Sequence, residues 1–324
     1  MSVGNIIQNL LNKLMTEIKP QGKSFLEKYE VERIIVDSDF DGVICGALLR
    51  KVFPKVEIIQ SKASEIQEGA IDHLITKKTL MADLRYSPSC GYFFDHHESN
   101  RPETDFIGEW MPVDSAAQVI YSYFRDVADF SDFDPIIAEI NKFDSGNISL
   151  EDFLHPNDTY KLALIISRDQ KYFNLLLIEL LSRVSLEKVC DHPFVKEKID
   201  KYLTLRGEMS EFVRKNSEII NDVVFVNLRN YQLREKMTSY VYTAEHINSK
   251  VIVVEKPHER EGWSKIRLYR NNFCAVKNVI NLLEIAKKMS PKTAGGHKGA
   301  CGFNIEGALD KIKLEDFIRH SLKS

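Results

Sequence analysis

Apolar positions at the start of the chain recur at helical spacing. Ile6, Ile7, Leu10, Leu11, Leu14 and Met15 fall on one stripe, which predicts an amphipathic helix over 3–17 packed on the first domain. Pro20-Gln21-Gly22 ends it, and a second short helix follows. From Arg33 the period changes. Short apolar runs at Arg33–Val36, Val56–Gln60, Thr79–Ala82 and Tyr92–Phe94 read as strands, with helices expected at Val43–Val52 and Ser115–Ala128. This alternation argues an α/β fold, a parallel sheet with helices on its faces. Ligands of such sheets gather beyond the carboxyl ends of the strands, where Asp39, Asp83 and Asp95 fall.

Helical patterns continue at Pro135–Lys142, Ser149–Phe153, Thr159–Ser167 and Gln170–Ser182. Val195, Ile199, Leu203, Met209, Phe212 and Val213 then lie on one face of a single long helix expected over Pro193–Ile220. Beyond it, Asp222–Leu228, Met237–Tyr242, Val251–Val254 and Ser264–Tyr269 read as strands and Ala275–Met289 as a helix. The expected organisation is a parallel-sheet domain over 1–192, a connecting helix over 193–220 and a smaller α/β domain over 221–324.

A chain of 324 residues can bury two cores. With 44% hydrophobic and 28% charged residues its composition is that of an ordinary globular protein, and a net charge of −3 gives no global sign of nucleic-acid binding. Residues 250–298, by contrast, hold eleven Lys or Arg against four Glu, either a solvated face or one that meets anions. The five cysteines are scattered without a Cys-x-x-Cys pair, so free thiols in a reducing compartment are expected. Apolar runs fall short of the ~18 residues that span a bilayer, and the N-terminus lacks a secretory pattern. The expected location is the cytoplasm.

The chemistry concentrates where apolar strands end. Val36-Asp37-Ser38-Asp39-Phe40-Asp41-Gly42 and Phe93-Phe94-Asp95-His96-His97 each finish a strand in ionisable side chains. Three carboxylates at alternate positions are costly to desolvate unless a cation neutralises them. Mixed oxygen and imidazole donors suit Mn²⁺, and Mg²⁺ or Zn²⁺ less well. A polar turn with capping carboxylates is the plainer reading. Two more acids stand alone, Asp83 after Leu80-Met81-Ala82 and Asp144 before Ser145-Gly146. Asp114-Ser115 reads as a helix cap. Further on, Gly295 and Gly296 precede His297, and glycines let backbone amides approach an anion closely. The planar fork of Arg267 suits phosphate or carboxylate, and Tyr269 or Phe273 could stack a base.

Taken in order, Asp-x-Asp-x-Asp-Gly, Asp83, Asp95-His96-His97 and Asp144 resemble the four motifs of the DHH phosphoesterases. Gly295-Gly296-His297-Lys298-Gly299-Ala300-Cys301-Gly302 is similar to the signature of the domain associated with that family, so the resemblance covers residues 36–302. It implies that Asp39 and Asp83 hold one ion and that Asp41, Asp83, His96 and Asp144 hold another, with Mn²⁺ the expected metal and Mg²⁺ its substitute. Two such ions sharing a hydroxide would attack phosphorus. His97 would donate to a phosphate oxygen or protonate the leaving group, and Asp95 would orient a histidine. Arg267, Gly295, Gly296 and His297 would hold substrate across an interdomain cleft.

The first motif departs from the oligoribonuclease and pAp-phosphatase branch, which carries a histidine at the position of Ile35, and instead resembles RecJ-type exonucleases in placing Asp37 first. Either Asp37 replaces the imidazole as a ligand or it lies outside the ligand set. The activity implied is phosphohydrolysis of short single-stranded oligonucleotides or small nucleotides. A polyphosphatase or pyrophosphatase, a cyclic-dinucleotide phosphodiesterase and a non-catalytic nucleic-acid binder are the alternatives. A membrane partner is not expected, and a homodimer only by analogy.

Overall fold

The structure, a computed structural model, describes residues 29–231, 238–274, 280–296 and 298–323. The helices expected before residue 29, the start of the strand expected over Met237–Tyr242, residues 275–279 of the helix expected over Ala275–Met289, and His297 lie outside the described residues. The chain divides into two compact units, the first built from residues up to Ile148 and from His155–Ile199, the second from Ser149–Leu154 and from Asp200 onward.

In the first unit the strands are β1 (Arg33–Asp37), β2 (Glu57–Ser61), β3 (Thr79–Ala82), β4 (Tyr92–Asp95) and β5 (Gly108–Trp110), all parallel in the order β2-β1-β3-β4-β5. Ile34, Ile35, Val36, Phe93 and Phe94 are fully buried because both sheet faces are covered, which is why these strands read as unbroken apolar runs. Strand β5, a three-residue edge carrying one glycine, was too short to be expected from sequence.

The helices of this unit are α1 (Phe40–Val52), α2 (Ala63–Gln67), α3 (Ala116–Phe124) and α4 (Asp134–Asp144); α5 (Leu150–Leu154) belongs to the second unit, and the first resumes with α6 (Asp158–Ile165), α7 (Lys171–Leu181) and α8 (Leu186–Asp191). Ser115 caps α3 by accepting from Gln118 N. Helix α1 is buried nearly throughout, and Gly46 lets it approach α7 so closely that a Cβ there would come within 2.7 Å of Ile178 Cδ1. Beside that contact Arg50 Nε meets Glu179 Oε1 at 2.7 Å, and Arg183 Nη2 meets Glu179 Oε2 at 2.9 Å.

Helix α9 (Pro193–Lys215) ends before the expected boundary. Ser217–Ile220, expected as its last turn, is strand β6, joined antiparallel to β7 (Val223–Asn227) through Asn221 at φ 53°. The β-branched pair Ile219-Ile220 opposite Val223-Val224 and an asparagine that tolerates a left-handed turn favour the hairpin over the helix. Met237–Tyr242, expected as a strand, is corrected as well, for Ser239–Glu245 is helix α10. The reason is topological. Strand β8 (Val251–Pro257) runs parallel to β7, and parallel neighbours need a crossover, which the segment containing α10 supplies.

Strand β9 (Trp263–Arg270), helix α11 (Leu282–Met289), strands β10 (Gly295–Gly296) and β11 (Ala300–Glu306) and helix α12 (Lys311–Lys323) complete a six-stranded mixed sheet ordered β10-β11-β9-β8-β7-β6. Leu282, Ile285, Leu314 and Ile318 of the two helices pack on Val251, Val253, Leu268 and Phe303 of the sheet. All five cysteines are free and buried. Among the described residues, no helix is long and apolar enough to cross a membrane.

Because Arg50 and Glu179 are both buried, removing one partner strands the other charge in the core. Glu179→Ala is expected to destabilise the first unit by about 3–5 kcal/mol, measured by chemical denaturation.

Candidate metal centre

Strand register builds this site. Val36 pairs with Ala82 and Ala82 with Phe94, so the residues that follow, Asp37, Asp83 and Asp95, stand at neighbouring strand ends. Parallel strands lie about 4.8 Å apart, which sets the carboxylates within reach of a shared cation. The turn from β1 into α1 adds two more. Asp39 caps α1, its Oδ1 accepting from Gly42 N at 3.1 Å, and Asp41 points inward from the first turn. Gly42 is required there, because a Cβ would lie 2.1 Å from the backbone oxygen of Asp37.

Asp41 is 1% exposed and accepts from Ala116 N at 2.7 Å and Ala117 N at 2.9 Å, so it also satisfies the amino end of α3. Asp83 sits at φ 59°, a left-handed conformation uncommon for a residue with a side chain, and its Oδ2 is buried without a hydrogen-bond partner. Asp144, the last residue of α4, completes the carboxylate set.

The two histidines play different parts. His96 Nδ1 lies 2.9 Å from the Val113 carbonyl, which as an acceptor assigns the proton to Nδ1. The lone pair on Nε2 then faces Asp144 Oδ2 at 3.3 Å and Asp41 Oδ2 at 3.8 Å, acceptor against acceptor, with no hydrogen bond to Nε2. His97 Nδ1 lies 2.9 Å from Asp95 Oδ1, while Asn100 Nδ2 donates to Asp95 Oδ2 at 2.7 Å. That leaves the half-exposed His97 ring held from its Nδ1 edge.

The electrostatics match the crowding. Burial first, and then the neighbouring Asp39, pushes Asp37 up to about 6 and Asp144 up to about 7. Burial and like charges also raise Asp41 and Asp83 well above the carboxylate range. His97 is raised to about 9, chiefly by its hydrogen bond with Asp95, whereas burial lowers His96.

Ligand atoms of Asp37, Asp39 and Asp83 lie within 4.8 Å of one another, as do those of Asp41, His96 and Asp144, and those of Asp83, Asp95, His96 and His97. Orphaned acceptors on Asp83 and His96 in a buried, mutually repelling donor set fit divalent cations.

In the second unit Arg267, Tyr269, Thr293, Gly295 and Gly296 line a cavity of about 390 Å³. Arg267 faces Gly302 across β9 and β11, and a Cβ on Gly302 would lie 2.4 Å from Arg267 Nη1, so the glycine makes room for the guanidinium. Tyr269 is on this lining; Phe273 packs instead against Phe153 and Tyr240, with ring centroids 6.1 Å and 5.8 Å away.

No protein-family model matches the chain, and no curated protein does. Solved structures do. The pGpG-specific phosphodiesterase PggH of Vibrio cholerae is 19% identical, with a TM-score of 0.75 over 90% of this chain and 98% of that one. A DHH domain from a member of the s1p family of ribosomal proteins gives a TM-score of 0.55 at 11% identity, over 100% and 93% of the two chains. A manganese-bound RecJ exonuclease gives 0.52 at 12% identity, over 94% of each. The chain has the DHH fold.

In this DHH fold a cationic side chain from a distant segment also reaches the carboxylates. Arg168 Nη2 lies 2.6 Å from Asp39 Oδ2 and 3.2 Å from Asp37 Oδ2. The sequence around it, Ser167-Arg168-Asp169-Gln170, carries no motif, and only folding brings it to residues some 130 positions away.

For Asp37 and Asp144, folded values above the unfolded ~3.9 mean stability present at low pH and lost as pH rises through about 6 and about 7. The raised His97 runs the same way up to about 9, and the lowered His96 runs oppositely. The melting temperature of chelator-treated protein should therefore fall between about pH 5 and about pH 8, and Mn²⁺ should restore more of it at the higher pH. Thermal scans with and without metal check this.

Proposed function

We propose that the protein is a metal-dependent phosphodiesterase acting on short single-stranded oligonucleotides or linear dinucleotides. The observation that carries this is the meeting of three groups of ligand atoms at adjacent strand ends, with Asp83 common to two of them. Asp37, Asp39 and Asp83 would hold one divalent ion, and Asp41, His96 and Asp144 the other; that Asp83 would also serve the second ion as a bridge is what the family resemblance implies. On this reading Asp37 is a direct ligand, which its closeness to Asp39 and Asp83 supports. When bound, such ions, Mn²⁺ before Mg²⁺, lower the pKa of water and neutralise charge developing on a phosphoryl group.

The chain's own residues supply the rest. His97, held by Asp95 and protonated near neutral pH, is placed to donate a proton from its Nε2 to a phosphate or leaving-group oxygen. Fixing the ring at Nδ1 leaves its Nε2 edge to face substrate. His96 keeps its proton on Nδ1 through Val113 and offers Nε2 as a ligand. In the second unit Arg267, Gly295 and Gly296 form a cradle suited to a phosphate, with Tyr269 beside them for a base. The linear dinucleotide named for the structural neighbour PggH supports this substrate class over polyphosphate.

The test is hydrolysis with Mn²⁺ of a panel comprising pGpG, short RNA, short DNA, pAp, cyclic di-AMP and polyphosphate. Turnover of the linear nucleotides is expected; failure on every phosphate ester would overturn the reading. His97→Ala should keep its metal and lose about 10²–10⁴-fold in kcat. Asp83→Ala should lose metal as measured by elemental analysis, and retention of both ions would refute the bridge.

A further inference from the structure

The two halves of the carboxylate cluster are not alike. Around Asp41, His96 and Asp144 the hydrogen-bond partners are two backbone amides, a backbone carbonyl and the Cys45 thiol, with the His97 ring against His96 and, among the described residues, no arginine or lysine in contact. Around Asp37 and Asp39 there is a resident cation. Asp39 Oδ1 is engaged as the helix cap and Oδ2 accepts from Arg168 at 2.6 Å; Asp37 Oδ1 accepts from Ser38 N at 2.5 Å and Oδ2 from Arg168 at 3.2 Å. One guanidinium nitrogen thus spans the two oxygens that Asp37 and Asp39 have left to offer, leaving the unpartnered Asp83 Oδ2 beside them.

This is not a stray surface contact, because the loop that carries Arg168 is fastened from three directions. Asn174, fully buried, donates to the Ser38 carbonyl at 3.0 Å and the Ser167 carbonyl at 3.1 Å, tying the loop directly to the Asp cluster. Lys62 Nζ meets Asp169 Oδ1 at 2.5 Å on one flank, and Lys171 Nζ meets Glu65 Oε1 at 3.2 Å on the other. The anchors are short and the Arg168 side chain is long and 45% exposed, so the tip can move while its base stays fixed.

We infer that Arg168 is a built-in competitor for the divalent ion at Asp37, Asp39 and Asp83, and that once displaced its guanidinium becomes a ligand for the substrate's phosphate. This deepens the two-ion reading and rests on it. A charge-assisted pair that must break before an ion binds subtracts its own strength from that ion's affinity. The two ions should therefore bind with unequal affinity, the contested one more weakly. A guanidinium freed beside a phosphoryl centre presents the planar fork that suits two phosphate oxygens.

The experiment is calorimetric titration of chelator-stripped full-length protein with Mn²⁺, alone and without substrate, for wild type, Arg168→Gln, Arg168→Lys and Asp144→Asn. Wild type should show two steps, and Asp144→Asn should remove the tighter one. Arg168→Gln should tighten the weaker step about tenfold or more while moving the tighter one by less than about twofold. Because a contact pair is screened far less than a distant charge, that gain should survive a rise from about 0.15 M to about 0.5 M NaCl. A gain that vanishes at high salt would mean a general field effect and would overturn the inference, as would an unchanged or weakened second step. Arg168→Lys should lie between the two, since it keeps the charge but not the fork. With the dinucleotide as substrate, Arg168→Gln should raise KM even where Mn²⁺ saturates both steps. No Mn²⁺ binding by the wild type would remove the metal reading and this inference together. Two wild-type steps with an unmoved Arg168→Gln would remove this inference alone.

Discussion

Everything in the first unit depends on tolerating several carboxylates in a volume from which water is largely excluded. Asp41, Asp83 and Asp95 are almost completely buried, and Asp37 is nearly so. Burial first, and then repulsion from the neighbouring Asp39, raises the cost of ionising Asp37 and Asp144, and their upward shifts express both. The fold offsets part of it locally. The amino end of α3 faces Asp41, the backbone amides of His96 and His97 face Asp95, and Arg168 faces Asp37 and Asp39. What these groups leave uncompensated is negative charge that suits a metal cation.

The arrangement assigns different work to residues that look alike in sequence. Three aspartates follow buried apolar strands, yet Asp95 spends its oxygens on holding His97, His96 and Asn100, while Asp83 keeps one oxygen without a partner. Two adjacent histidines differ in the same way. One is locked by a carbonyl into the neutral tautomer a ligand needs, and the other is held by a carboxylate that favours the protonated form a donor needs. In each case the partner on the far side of the ring decides the role.

The backbone bears part of the cost. Asp83 adopts a left-handed conformation directly after β3, and the turn after β1 brings Gly42 so close to Asp37 that no side chain fits. Such strain persists only where the surroundings hold it, here a strand pair on each side and a buried helix behind. In the second unit Gly302 makes an equivalent allowance for Arg267. One glycine thus makes room for a backbone carbonyl and the other for a guanidinium.

Much of this was legible in the linear chain. Strands buried on both faces must be continuously apolar, so β1, β3 and β4 announce themselves, and a parallel sheet puts whatever follows them at one edge. That is why Asp37, Asp39, Asp83, Asp95, His96 and His97 could be picked out together. Segments whose state depends on their neighbours were less readable. Ile219-Ile220 is compatible with a helix until a hairpin offers it strand partners, Ser239–Tyr242 reads as part of a strand until a parallel crossover demands a helix there, and the three-residue β5 has no period to detect. Sequence by itself determined which ionisable side chains would meet at the strand ends, because side-chain type and strand periodicity are local properties. Tertiary structure alone decided which oxygens remain unpartnered, which nitrogen of each histidine is free and that Arg168 stands against Asp37 and Asp39, because those depend on contacts between segments distant along the chain.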